Sequence, residues 1–143
     1  MHKTLQALTL TLAALFAAAP VIAQQPPPAT AGSETAPLYV ALGAKPGIEK
    51  LMGELIDRAS VDPRIADTFK RSKMKLSFLK SQLTDQICVL SGGPCVYDGD
   101  TMAKSHADLK LQKSDFNALV EVLQDTMDAQ GVGFTTQRQL LAI

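Results

Sequence analysis

The sequence predicts an all-α protein with a single folded domain. From residue 47 onwards, apolar residues recur mainly at intervals of three and four, which is the spacing of one helical face. No segment alternates apolar and polar residues as a half-buried strand does. The length of 143 residues allows one domain and little more.

The first predicted helices are separated by residues that end helices. One helix covers 47–60 and ends before Asp62-Pro63, and a short segment follows at 64–69. The next helix covers 75–90 and ends at Gly92-Gly93-Pro94. Glycine suits the left-handed end of a helix, and proline cannot continue one.

Three further helices are predicted toward the C-terminus. A short helix covers 100–109, and the last helix covers 136–143. Between them, Ser114 is expected to cap a helix, because a serine hydroxyl accepts hydrogen bonds from the free N–H groups of the first turn. The face expected to be buried on this helix consists of Phe116, Leu119, Val120, Leu123 and Met127.

The composition excludes several classes of protein. Fourteen basic and fourteen acidic residues leave a formal net charge of zero, which gives no support for binding to nucleic acid or to an anionic membrane. Two cysteines are too few for a disulfide-dense scaffold or for a four-sulfur zinc site.

The N-terminal residues predict export. Residues 1–23 resemble a cleaved secretory signal, because a charged start precedes a short apolar run and a Val-x-Ala cleavage site. This run is shorter than the roughly 20 residues of a spanning helix, so no membrane span is expected after cleavage. Residues 24–37 contain three consecutive prolines and are expected to form a disordered leader, which leaves 38–143 as the folded domain. We therefore expect an oxidising location such as a bacterial periplasm.

Signal cleavage leaves one histidine, His106, which shares a helical face with Met102 and Leu109. One interpretation is a ligand for haem iron, which needs a single protein ligand on its proximal side. The alternative is a partly buried histidine that bonds to a backbone carbonyl. Zinc would need three or four ligands, and the lack of a C-x-x-C-H motif excludes covalently attached c-type haem.

Several short motifs follow one another along 38–143. They are Leu38-Tyr39 with Leu42-Gly43, Gly47-Ile48-Glu49, Asp57-Arg58 through Asp62-Pro63-Arg64, Gly92-Gly93-Pro94 with Tyr97 and Gly99, Met102 with His106, and Asp115-Phe116. In this order and spacing they resemble the truncated haemoglobins, the short-globin family, and most of all its first group. The resemblance implies a two-over-two sandwich of antiparallel helix pairs around a non-covalent haem b, with His106 as the iron ligand.

The resemblance also implies which residues surround the haem. Counting back from Gly92-Gly93-Pro94 places Leu79 first in the distal pocket, whereas counting forward from Phe69 places Ser77 there. For the apolar members, the alternative is that they belong only to the hydrophobic core. The expected cofactor contacts are Phe69, Leu79, Leu83, Gln86, Ile87, Met102, Leu109 and Val120, and the expected distal pocket consists of Ile56, Leu79, Gln82 and Leu83.

The expected distal pocket is unusually apolar for this family. Ile56 stands where many members have a tyrosine, and Leu79 and Leu83 offer no hydrogen-bond donor to a bound gas. We expect faster oxygen release and faster oxidation to ferric iron than in relatives with the tyrosine. Gln82 or Gln86 would restore one hydrogen bond if the helix were rotated slightly.

The cysteines and lysines add two expectations. Cys88 and Cys95 are expected to form a disulfide in an exported protein, with two reduced thiols as the alternative. The lysines near the expected pocket edge are candidates to pair with haem propionates, and otherwise belong to a solvated surface. They are Lys73, Lys75, Lys80, Lys104 and Lys110.

The leading functional hypothesis is a monomeric haem b protein that reversibly binds oxygen, nitric oxide or carbon monoxide. An exported redox or nitric oxide-detoxifying protein is the first alternative, and it would need an external electron donor because no flavin or nicotinamide motif is present. A non-haem helical interaction module is the second. No acid–base pair or nucleophile triad predicts any other enzyme.

Overall fold

The structure is a computed structural model that describes residues 37–143. The predicted signal peptide (1–23) and the predicted leader (24–37) lie outside the described residues, except for Pro37. None of the described helices is long and apolar enough to cross a membrane.

The described chain is all-helical, as the sequence predicts, and residues 37–143 contain no strand. Several helices differ at their ends from the predicted ranges, α2 by an earlier start and α7 by a shift toward the N-terminus. The helices are α1 (Pro37–Ala41), α2 (Ala44–Ala59), α3 (Ala66–Ser72), α4 (Leu76–Leu90), α5 (Met102–His106), α6 (Lys113–Ala129) and α7 (Phe134–Leu140).

Helix α2 supplies more of the buried hydrophobic residues than any other described helix. It packs against both α4 and α6, while α1 packs against α2 and α7. Burial of this apolar face is the main favourable contribution to folding. The buried residues of α2 recur at helical spacing and are Ile48, Leu51, Met52, Leu55, Ile56 and Ala59.

Polar contacts show that α2 runs antiparallel to α4. Lys45, near the start of α2, pairs with Asp85 in the second half of α4 at 2.9 Å. Asp57, near the end of α2, pairs with Lys80 in the first half of α4 at 2.7 Å. The hydrogen bond to Asp85 raises the pKa of Lys45 above its ordinary value.

Helix α6 also runs antiparallel to α2. Gln130, just after α6, donates to the Glu54 carboxylate in α2 at 2.7 Å, and this hydrogen bond lowers the pKa of Glu54. Arg64, just after α2, pairs with Glu121 in the middle of α6 and with Asp62. Both pairings raise the pKa of the Arg64 guanidinium. The side-chain hydrogen bond from Arg64 lowers the pKa of Asp62.

The predicted start of α6 is wrong. Gln112, rather than Ser114, occupies the capping position, and its side chain and that of Asp115 bond reciprocally to the backbone of the first turn. The predicted buried face is also wrong at Phe116, which is 65% exposed. The buried residues of α6 are Ala118, Val122, Thr126 and Met127, and the Thr126 hydroxyl donates to the Val122 carbonyl at 2.6 Å.

One glycine immediately precedes α2, and another follows the end of α4. Gly43 and Gly92 have positive φ angles of 83° and 86°, which glycine adopts without the steric penalty of a Cβ. Next to Gly92, Gly93 lies against the ring of Tyr39 in α1 and the sulfur of Cys88 in α4. The Tyr39 hydroxyl in turn accepts the backbone N–H of Lys45 at 3.1 Å. This contact joins α1, the start of α2 and the end of α4.

We expect Gly93→Ala to destabilise the protein by about 1–3 kcal/mol, because an added methyl group in a packed site forces its neighbours apart. The new Cβ would lie 2.5 Å from Tyr39 ring carbons and 2.6 Å from the Cys88 sulfur. Thermal unfolding followed by circular dichroism measures the effect. The matched control is Gly133→Ala, because Gly133 has an ordinary φ of −63° and no neighbour within 4 Å of the added carbon. Equal melting temperatures for the two variants would contradict this account of the Gly93 contact.

Candidate functional site

His106 ends the five-residue helix α5, and its side chain is exposed. Its Nδ1 lies 2.7 Å from the backbone carbonyl oxygen of Met102. A carbonyl only accepts hydrogen bonds, so Nδ1 carries a proton, and in the neutral form of the ring Nε2 keeps its lone pair. This is the arrangement in which a histidine serves as a metal ligand, with its second nitrogen held by a backbone carbonyl.

Two long-range hydrogen bonds hold the segment that contains His106. The Gln86 side chain of α4 donates from Nε2 to the Met102 sulfur at 3.2 Å. The Arg71 guanidinium of α3 donates to the Leu109 carbonyl at 3.2 Å, and also to the Thr68 hydroxyl at 2.8 Å. Along the chain, His106 therefore lies between Met102, which is hydrogen-bonded to α4, and Leu109, which is hydrogen-bonded to α3.

Several large apolar side chains that are close in sequence to these hydrogen-bonded residues are exposed. Such residues occur where α3 leads into α4, at the start of α5, and in the segment that leads into α6. Exposed apolar surface is a candidate for contact with a ligand. The residues are Met74, Leu76, Phe78, Met102, Leu111 and Phe116, with exposures from 37% to 65%.

This set of residues fits a haem. Haem needs a single protein ligand on its proximal side together with a large apolar contact surface, and His106 with its free Nε2 and the exposed side chains provide both. Within residues 37–143, no group of three histidine, cysteine or acidic side chains is placed to hold a bare metal ion.

The predicted haem contacts fall into two groups. Phe69, Leu83 and Ile87 are half-buried and pack against the core, so they serve the fold whatever else they contact. Leu79, Leu109 and Val120 are half-buried, and Met102 is 42% exposed. The structure therefore leaves part of every one of these side chains accessible.

The predicted distal residues are not equivalent. Ile56 is only 3% exposed and belongs to the buried face of α2. Gln82 is half-buried, and its side-chain oxygen lies against the backbone of Gly99 and beside the Tyr97 ring. Both glutamines of α4 thus face the segment that leads into α5, Gln82 at Gly99 and Gln86 at Met102.

The lysines differ in their partners. Lys80 pairs with Asp57 at 2.7 Å, and Lys104 pairs with Asp100 at 2.6 Å. For Lys73, Lys75 and Lys110, the described region offers no ion-pair partner. Lys73 and Lys110 have positive φ angles of 54° and 50°, an uncommon conformation for residues with a Cβ. These two strained residues lie next to the Arg71–Leu109 tether.

Cys88 and Cys95 form a disulfide in the structure, with 5.8 Å between their Cα atoms. The bond links the last turn of α4 to the loop that leads toward α5, and Cys88 is fully buried. Because α4 also carries Gln86, the loop and the start of α5 are attached to the same helix at two points.

Arg71 does not stand out in the sequence. The sequence gives little indication of a role for Arg71, because a surface arginine in a basic stretch is usually solvated. Only its backbone partner at Leu109, 38 residues later, shows that it tethers the α5 segment.

Comparison with known proteins places these features in a family. Residues 37–143 match the model of the bacterial-like globins. The group 1 truncated haemoglobin of Nostoc commune is 33% identical over 95 residues, which cover 66% of this chain and 79% of that protein. The group 1 truncated haemoglobin of Tetrahymena thermophila is 34% identical over 93 residues, which cover 59% of this chain and 75% of that protein.

The fold is similar to that of a solved relative. The ferric form of truncated haemoglobin from Tetrahymena pyriformis superposes with a TM-score of 0.67 and 26% sequence identity, over 72% of this chain and 86% of that chain. This likeness supports the predicted compressed all-helical architecture.

We expect reduction of Cys88–Cys95 to lower stability by about 2–3 kcal/mol, because opening the short loop restores conformational freedom to the unfolded chain. Urea unfolding with and without a phosphine reductant measures the difference. The control is the Cys88→Ala/Cys95→Ala double variant, whose unfolding should not respond to the reductant. A wild-type midpoint that is insensitive to the reductant would contradict a stabilising disulfide.

Proposed function

Because the chain belongs to the bacterial-like globin family and is related to group 1 truncated haemoglobins, we propose that it binds haem b non-covalently through His106 and reversibly binds a diatomic gas. Family membership implies a haem-binding, gas-binding globin. The identity of the ligand residue and of the haem is our proposal. The observation that carries it is His106, whose Nδ1 is held by the Met102 carbonyl on a short exposed helix that also presents the apolar Met102 side chain.

Each part of the site has a role in this proposal. The Met102 carbonyl holds the His106 ring so that Nε2 is available to the iron. The exposed side chains of Phe78, Met102 and Phe116 are candidates to contact the haem, and their burial against it would be favourable. Lys73, Lys75 and Lys110 are candidates to pair with its propionates.

When bound, the haem iron supplies the open coordination position at which oxygen, nitric oxide or carbon monoxide binds. On the distal side, we propose that Ile56, Leu79 and Leu83 form an apolar pocket that excludes water. None of these three side chains can donate a hydrogen bond to the gas. We therefore expect weak retention of oxygen.

Export to an oxidising compartment is also part of the proposal. The Cys88–Cys95 disulfide supports it, because structural disulfides persist outside the reducing cytosol. A nitric oxide-detoxifying or electron-transfer role would need a separate electron donor. The gas-binding role therefore stands as the function that the site supports best.

We expect the purified chain to bind one equivalent of hemin and to show a Soret band that shifts on reduction and again with carbon monoxide. In His106→Gly the bands should be lost or displaced, because the iron loses its protein ligand, and added imidazole should restore them. Absorbance titration with hemin measures both effects. A spectrum in His106→Gly identical to wild type would exclude His106 as the ligand.

The matched control for this test is Lys104→Gln. Lys104 lies on the same short helix, but within residues 37–143 its side chain is already paired with Asp100 at the surface, so its replacement should leave the spectrum unchanged. If the wild-type chain shows no specific hemin spectrum, the gas-binding proposal fails and the non-haem interaction module becomes the better hypothesis.

We expect Ile56→Tyr to slow oxygen release by about tenfold relative to Ile56→Phe, because one hydrogen bond from the new hydroxyl contributes about 1 kcal/mol or more. The phenylalanine variant controls for the larger ring at this buried position. Stopped-flow displacement of oxygen by carbon monoxide measures the rate. Equal rates in the two variants would show that residue 56 does not face the bound gas.

A further inference from the structure

Gln86 connects the core to the helix that carries His106. Its Nε2 donates to the Met102 sulfur at 3.2 Å, and the Met102 carbonyl accepts the Nδ1–H of His106 at 2.7 Å. Gln86 is half-buried on α4, the helix with the most extensive packing against α2. A continuous series of contacts therefore runs from the core to the imidazole.

Helix α5 has few other attachments. None of its five residues is buried. The Thr101 cap and the Lys104–Asp100 ion pair both lie within the α5 segment itself, so they stabilise the helix without fixing its place in the fold. At the start of α5, the Gln86 hydrogen bond is the side-chain contact that fixes Met102 against α4.

We propose that Gln86 is a positioning residue for His106. By holding the Met102 side chain, it fixes the carbonyl that keeps the imidazole in the Nδ1–H tautomer, with Nε2 directed away from its own helix backbone. Residues that orient a ligand in this way commonly change metal affinity by an order of magnitude or more when they are replaced. The role of this geometry in haem binding rests on the function proposed above.

The test measures the His106 tautomer in the full chain without haem. Long-range proton–nitrogen NMR correlations, recorded at alkaline pH, distinguish the two tautomers of the neutral imidazole. His106→Gln identifies the His106 signals beside those of His2. We expect the Nδ1–H tautomer to dominate in the wild type, and the Nε2–H fraction to rise about threefold in Gln86→Leu.

The control is Gln124→Leu, the same change at an exposed glutamine of α6 to which no other residue of 37–143 is hydrogen-bonded through the side chain. It should leave the tautomer ratio unchanged. Circular dichroism shows whether each variant keeps its helices. An unchanged ratio in a folded Gln86→Leu protein would overturn the positioning role.

Met102→Leu provides a second variant should Gln86→Leu fail to fold. It removes the sulfur acceptor but keeps the backbone carbonyl, so it should shift the ratio as Gln86→Leu does. The double variant should shift it no further, because both changes break one contact. Independent, additive shifts would contradict the proposed series of contacts.

A measurement of hemin binding distinguishes a failure of the positioning role from a failure of the proposed function. With hemin bound, transfer to excess apomyoglobin should be about tenfold faster for Gln86→Leu than for wild type. If the wild type binds no hemin but the tautomer depends on Gln86, the haem proposal fails and the positioning role stands. If hemin binds and neither variant changes the tautomer, the positioning role fails and the haem proposal stands.

Discussion

Helix α2 is enclosed between α4 and α6, and its burial fixes the place of both partners. Its apolar face contains side chains with almost no exposure, whereas the ion pairs to α4 and α6 lie at the surface. Surface ion pairs typically contribute about 0–1 kcal/mol, so they refine the register of the helices rather than hold them together. Once α4 is fixed on α2, its residues Gln82 and Gln86 reach Gly99 and Met102 and so connect the core to the candidate site.

The sequence predicted the order of the helices well where breaks are sharp. Asp62-Pro63 and Gly92-Gly93-Pro94 set the ends of two helices within a residue or two. The start of α6 was mispredicted because Gln112 is an uncommon capping residue, and its role depends on the reciprocal bond from Asp115. Burial of Thr126 escaped the hydropathy pattern, because its hydroxyl is satisfied within the helix by the Val122 carbonyl.

The sequence predicted the residue at the centre of the candidate site, but not the residues that hold its segment in place. His106 stood out because of its apolar neighbours, but Arg71 and Gln86 act through contacts that depend on the folded chain. Phe116 shows a further limit of prediction from an apolar pattern. An apolar side chain at helical spacing indicates that a surface is covered, and the pattern does not say whether protein or cofactor covers it. The polypeptide leaves Phe116 exposed, which favours a partner other than the core.

The contact among Tyr39, Cys88 and Gly93 also constrains how this sequence can diverge. The ring and the sulfur occupy the space where a side chain at position 93 would begin. Evolutionary change at any of the three positions therefore depends on the residues at the other two. Among homologues, we expect the size of residue 39 to vary together with the residue at 93, and loss of the cysteine pair to relax both. A turn that looks like a simple chain reversal thus links the evolution of α1 to that of α4.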